Sequence, residues 1–226
     1  MESIDIEQVL GVQELRARAL EHTRKAFAKL PAMDRPRILD IGCGEGLPTL
    51  ELARLSQGEV VGIDIDETAL SRLRKRIEQS DLSGWVTVNV CSLFDSGLAA
   101  ESFDILWEEG VLHLLDPAAS FAECHRLLKP EGFLMMHEKL TWFDEVRERL
   151  PGWGMAFVDQ HLLPRHFWWT QYGAPLEERV KAFRESHTSA ADSKELTRYA
   201  DEAAMIKADP DRFDCAFFIL QKRDRS

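Results

Sequence analysis

The sequence predicts an α/β fold, a doubly wound, mostly parallel sheet built as a single domain over residues 1–226. Three observations predict it. Short apolar runs rich in Val and Ile alternate with helical patterns of roughly 10–15 residues, which marks βαβ crossovers covering both faces of a sheet. The first run ends in a glycine-rich loop that opens into a helix. A chain of 226 residues also buries one substantial core without needing a second domain.

The elements follow in order. An N-terminal helical segment, residues 1–30, carries spaced apolar residues from position 12 and stops at Leu30-Pro31. Arg37 to Gly42 reads as a buried strand, and Leu47, Leu50, Leu52, Ala53 and Leu55 give a helix over about 46–57. Val60 to Asp64 reads as the second strand, followed by a basic amphipathic helix over about 67–79 with Leu70, Leu73 and Ile77 on one face. Trp85–Val90 and Phe103–Trp107 are strand-like, a helix spans about 117–128, and the turn Lys129–Gly132 feeds a fifth strand, Phe133–His137. Beyond this the alternation loosens. A short helix near 143–150, a sixth strand over 156–163, helices near 175–188 and 193–207, and a seventh strand over 213–220 complete the pattern.

Composition limits the partners. With 28 Lys+Arg against 39 Asp+Glu the formal charge is −11, which argues against a broad basic face to hold phosphate backbones, and a nucleic-acid acceptor is disfavoured. No apolar run approaches the roughly 20 residues that span a bilayer. The start, Met-Glu-Ser-Ile-Asp, lacks a secretory pattern. Cys43, Cys91, Cys124 and Cys215 are scattered without disulfide or metal-site spacing, so reduced thiols in a cytoplasmic protein, with no metal, are expected.

The densest chemical signal is Leu39-Asp40-Ile41-Gly42-Cys43-Gly44-Glu45-Gly46, between strand and helix. Alternate glycines let the backbone turn tightly and lie close to a ligand. In an open α/β sheet the loop sits at the carboxyl ends of the strands, where ligands bind. Asp64 ends the next strand, where a carboxylate takes the hydroxyls of a ribose. The GxGxG spacing differs from the GxGxxG of dinucleotide folds. An acid such as Asp40 ahead of the first glycine suits a cationic amino-acid group better than a pyrophosphate.

Asp40–Gly46 and Asp64 resemble motif I and the following acidic motif of the class I S-adenosylmethionine-dependent methyltransferases. Phe103–Leu106 and Leu127–Leu134 resemble later signatures of that family, and the likeness covers roughly residues 11–223. It implies a seven-stranded sheet with an antiparallel last strand, and S-adenosylmethionine as cofactor with S-adenosylhomocysteine as product. It further implies that Gly42, Gly44 and Gly46 lie along the amino-acid part of the cofactor, with Asp40 and Glu108 nearby. Asp64 then falls to the ribose, with Ile65 beside it in the cofactor site, and Ser92 and Leu93 border the adenine. Family members often carry Asp where Ser92 stands. Trp107–Gly110 and His166–Tyr172 are similar to a bacterial subgroup acting on small molecules.

Methyl transfer asks the protein for alignment, exclusion of water and, for some acceptors, removal of a proton. Candidates for the last task are Glu109, His113 and His137, all near the carboxyl ends of the fourth and fifth strands. Glu109, Trp168, Trp169 and Tyr172 are candidate acceptor contacts, the rings as apolar walls or cation–π partners, with residues 141–175 as an acceptor-side lid. Plain packing is the competing account of the aromatics, a core role that of the histidines, and a solvated turn that of the acids. The expected acceptor is a small molecule, and a homodimer is the expected assembly. A cofactor-binding module without turnover and a nicotinamide-dependent oxidoreductase are the rival functions.

Overall fold

The computed structural model describes residues 5–187 and 193–224. The chain divides into two compact units, one of His22–Leu162 with Ala216–Ser226 and one of Met1–Glu21 with Leu163–Cys215. Among the described residues, no helix is long and apolar enough to cross a membrane.

The first unit carries the sheet. Its strands are β1 (Arg37–Ile41), β2 (Glu59–Asp64), β3 (Val86–Val90), β4 (Phe103–Glu109), β5 (Leu128–Lys139), β6 (Met155–Leu162) and β7 (Cys215–Lys222). They lie in the order β3-β2-β1-β4-β5-β7-β6. β1 pairs in parallel with β2 and β4, β2 with β3, and β4 with β5, while β7 runs antiparallel to β6. After β1 the chain builds outward through β2 and β3, then returns to β4 on the other side. That reversal opens a crevice at the carboxyl ends of β1 and β4.

Strands sit where the sequence places them because their runs are apolar on both faces. Ile38, Leu39, Phe103, Leu106, Leu134 and Met135 are fully buried. Local caps set the helices: Asp66 accepts from Thr68 N and Ala69 N to start α5 (Glu67–Glu78), and Asp116 accepts from Ala119 N to start α6 (Pro117–Leu127). α3 (Leu20–Phe27) and α4 (Leu47–Ser56) precede and follow β1.

Among the boundaries that differ from expectation, two lie in the central strands. β4 continues through Glu108 and Glu109, because their backbones pair with Met136 and His137 of β5. β5 begins at Leu128, opposite Phe103, and the register then shifts to Ile105 opposite Phe133. The expected turn at 129–132 is therefore a bulged strand, with Glu131 at φ 59° absorbing the extra backbone.

The second unit is helical. α1 (Ile6–Leu10), α2 (Val12–Ala17), α8 (Ala174–Ser186) and α9 (Lys194–Ala208) bury Leu10, Val12, Leu15, Leu176, Val180, Phe183, Leu196 and Ala203 together. Arg179 fastens this unit by donating to the carbonyls of Leu10 and Gly11 at 2.9 and 3.1 Å. The segment 141–175 divides between the units. α7 (Leu140–Val146), a 3-10 turn over Arg147–Trp153 and β6 belong to the sheet unit, and the π-helical turn Trp168–Gly173 belongs to the helical one.

Candidate active site

The glycine loop leaves β1 under two backbone bonds. Gly42 N and Cys43 N both donate to Ile63 O, at 2.8 and 3.0 Å, which ties the loop to the end of β2. Gly42, Gly44 and Gly46 have φ of 68°, 51° and 77°, the left-handed region that side-chain-bearing residues rarely adopt. Their surroundings differ. A Cβ on Gly42 would fall 2.3 Å from Val111 Cγ2, and one on Gly46 would fall 2.2 Å from Leu73 Cδ1. At Gly44 the space is open, with only Asp64 Oδ2 at 4.0 Å. The bare backbone needed for close approach of a ligand is thus at Gly44.

Asp64 faces this point. Its Oδ2 accepts from Gly44 N at 2.8 Å and its Oδ1 from Asp66 N at 2.8 Å. Ile65 beside it is 77% exposed, an apolar side chain held in the open at the rim. Ser92 caps the 3-10 turn Leu93–Asp95 by accepting from Phe94 N, and Leu93 is buried beneath it. Cys91 N donates to Asp64 O, which brings this turn to the same rim. Glycine loop, acidic strand end and apolar rim fit an adenosyl ligand: open main chain, a carboxylate for sugar hydroxyls, and an apolar wall for a base.

Two of the expected cofactor contacts are buried in the fold. Asp40 is only 2% exposed and accepts from Thr49 Oγ1 of α4 at 2.6 Å, so it braces the loop from beneath. Burial pushes its pKa up to about 8, against the pull of that hydrogen bond. Glu108 is fully buried, and its Oε2 accepts from Val111 N and Leu112 N at 2.9 and 3.3 Å. It caps the turn after β4 from a buried position, and its Oε1 makes no hydrogen bond among the described residues. Burial and the neighbouring Glu138 push Glu108 well above the usual carboxylate range.

Alternation along the strands puts two clusters on opposite faces. Asp40 pairs with Trp107 and Glu109 with His137, so these four rise from one face, while Glu108 and Glu138 point to the other. On the first face Glu109 Oε1 accepts from Trp107 Nε1 at 2.9 Å and from Thr23 Oγ1 of α3 at 3.0 Å. Burial lifts its pKa to about 7, though both donors hold it down. His137 stacks on Phe217 with centroids 4.6 Å apart, and burial depresses it to about 3, so it is a neutral imidazole at physiological pH. His22 Nδ1 and His161 Nε2 meet at 3.0 Å along the same row.

On the second face His113 lies in the 3-10 turn Leu112–Leu114 and is partly exposed. Its Nδ1 is 2.9 Å from Glu138 Oε2, and its backbone N donates to Glu138 Oε1 at 3.0 Å. Glu138 is 2% exposed. A buried carboxylate on Nδ1 selects the Nδ1–H tautomer and leaves Nε2 as a proton acceptor.

The structure therefore gathers the glycine loop, Asp64, Ser92, Glu109, His113 and His137 in the sheet unit. Trp168, Trp169 and Tyr172 lie in the helical unit. Tyr172 is 2% exposed within that unit's core, which accounts for its ring by packing alone, and Trp168 donates from Nε1 to Cys215 Sγ at 3.2 Å. Thr23 is not legible in the sequence as a site residue, and Glu138 is legible only as the neighbour of His137 at the end of the fifth strand. Nothing in spacing or composition ties a threonine of a helix to a strand end 86 positions away. Among the described residues His166, Asp211 and Asp214 bring potential metal-ligand atoms within 4.8 Å, but Arg165 pairs with Asp211 at 2.7 Å and already neutralises it.

Residues 39–136 match the model of a methyltransferase domain. A ubiquinone biosynthesis O-methyltransferase of Cereibacter sphaeroides is 37% identical over 118 residues, 52% of this chain and 46% of that protein. A 27-O-demethylrifamycin SV methyltransferase of Amycolatopsis mediterranei is 29% identical over 119 residues, 52% of this chain and 44% of that one. The chain spans about half the length, or less, of the curated relatives it matches. Among solved structures, the cyclopropane synthase MmaA2 of Mycobacterium tuberculosis superposes with a TM-score of 0.73 at 17% identity, covering 90% of this chain and 84% of that one. A phosphoethanolamine N-methyltransferase of Haemonchus contortus bound to S-adenosylmethionine gives 0.68 at 17% identity, covering 99% and 61%. At such identities the structural likeness speaks for the fold, and the domain match speaks for residues 39–136. Residues 39–136 of the chain thus match a methyltransferase domain, and its sheet has the fold of the class I methyltransferases.

Proposed function

We propose that the protein transfers a methyl group from S-adenosylmethionine to a protic small-molecule acceptor. One observation carries the reading: Gly44, left-handed and open on its ligand side, sits 2.8 Å from the Asp64 carboxylate at the end of the neighbouring strand. The bound cofactor supplies a methyl carbon already activated by its sulfonium. Gly42 and Gly44 hold its amino-acid part, Asp64 its ribose, and Ile65, Ser92 and Leu93 border its adenine.

The chain's own chemistry is then alignment and proton removal. His113 takes the acceptor's proton at Nε2, with Glu138 fixing its tautomer through Nδ1. Glu109 fronts the other face as a carboxylate that gains and loses its proton near neutrality, suited to clamp a polar or cationic group. His137, neutral and stacked, shapes the wall beside it. The net charge of −11 and relatives named for ubiquinone biosynthesis and for 27-O-demethylrifamycin SV support a small acceptor over a nucleic acid.

Isothermal titration with S-adenosylmethionine and with NAD tests the reading. Saturable heat with the first and none with the second is expected; the reverse overturns it. Formation of S-adenosylhomocysteine in a metabolite extract separates turnover from mere binding.

A further inference from the structure

The glycine loop carries one acid that neither the ligand contacts nor the turn geometry requires. Glu45 stands between Gly44 and Gly46, and both of its carboxylate oxygens point to α5 and away from the crevice. Arg72 Nη1 donates to Oε1 at 2.6 Å and Arg76 Nη2 to Oε2 at 3.0 Å. Arg76 Nη1 also donates to the Glu45 carbonyl at 3.1 Å, so side chain and main chain are held together. The Glu45 side chain is 14% exposed, which sets this pair apart from ordinary solvated ion pairs. Between the two arginines, Leu73 fills the space a Cβ on Gly46 would need. Positions 72, 73 and 76 lie on one face of the helix, and that face presses on the loop.

We infer that Arg72 and Arg76 are positioning residues for the cofactor, a two-armed clamp that holds the Gly42–Gly46 loop in its binding shape before the ligand arrives. The inference rests on the methyltransferase reading for what the loop binds. Three glycines in five residues give an unrestrained loop wide backbone freedom, and ordering it at the moment of binding would subtract from affinity. Fastening Glu45 at three atoms removes that freedom in advance. The Gly44–Asp64 bond cannot do this alone, because the Asp64 oxygens must be shared with sugar hydroxyls once ligand is bound.

The double variant Arg72→Ala/Arg76→Ala tests the clamp in the full chain. Both arginines are partly exposed, so the fold is expected to persist, checked by an unchanged far-ultraviolet spectrum. The dissociation constant for S-adenosylmethionine is expected to rise about tenfold, with a more unfavourable binding entropy. Hydrogen exchange at the Gly44–Gly46 amides of the ligand-free protein is expected to speed up by at least about tenfold. Arg76→Lys keeps the charge but not the fork, and should fall between wild type and the double variant. An affinity within twofold of wild type overturns the clamp. Should the wild-type chain fail to bind S-adenosylmethionine, the methyltransferase reading fails by itself, and loop exchange in the double variant still decides the clamp: rates equal to wild type overturn it.

Discussion

Asp64 and Glu109 show how one carboxylate chemistry serves two ends through local donors. Asp64 receives two backbone N–H groups and sits at the rim, so replacing it by Ala removes a charged acceptor from the loop and from the proposed ribose contact. Hydrogen bonds to a charged group contribute about 1.5–3 kcal/mol, so Asp64→Ala is expected to weaken S-adenosylmethionine binding at least about tenfold by calorimetry. Glu109 is governed by Thr23, whose hydroxyl steadies the ionised form. Thr23→Val deletes that donor while keeping shape, so the carboxyl should titrate above its present value of about 7. Carbon-13 NMR of the labelled glutamate side chain follows this directly, and a midpoint unchanged from wild type would refute the assignment of Thr23.

At the scale of elements, the loop's glycines divide into supports and a contact. Gly46→Ala forces a Cβ into Leu73 at a left-handed residue, and is expected to cost about 1–3 kcal/mol of stability in denaturant melts. Gly44→Ala meets no comparable obstacle, so it should lower stability by only about 1–2 kcal/mol for the backbone strain while impairing cofactor binding far more. The pair separates a folding role from a binding role within five residues. The strands and the capped helices were legible beforehand because Asp66, Asp116 and the apolar runs act locally. The placement of β7 between β5 and β6 was not legible from periodicity, since pairing of strands distant in sequence leaves no such signal; only family resemblance gave its antiparallel sense. The burial of Glu108 is illegible for a related reason: adjacent acids alternate across a strand, and the environment of each depends on the neighbouring register. The partners Thr23, Glu138, Arg72 and Arg76 are surface-type residues by sequence, made specific only by the fold.

The whole molecule feels its buried acids through pH. Asp40 in the folded state holds its proton up to about 8 against an ordinary value of 3.8, so the folded protein keeps a proton that the unfolded chain has released. The sign follows: this contribution to stability is fully present below about pH 4 and is lost as pH rises through about 8. Glu109 acts in the same direction, over a window ending near 7. His137 acts in the opposite one, because its depression from 6.5 to about 3 gives stability that is complete above 6.5 and lost on acidification. Above pH 6.5 the histidine no longer changes the balance, and the decline toward pH 8.5 belongs to the buried acids, Asp40 and Glu108 foremost. Asp40→Asn keeps an oxygen for the Thr49 hydroxyl and removes the titration. The variant should melt close to wild type at pH 4 and clearly above it at pH 8.5, with the gap opening between those limits. Differential scanning calorimetry across that range decides the matter; a melting temperature displaced equally at both ends would mean that Asp40 acts by packing and not by its proton.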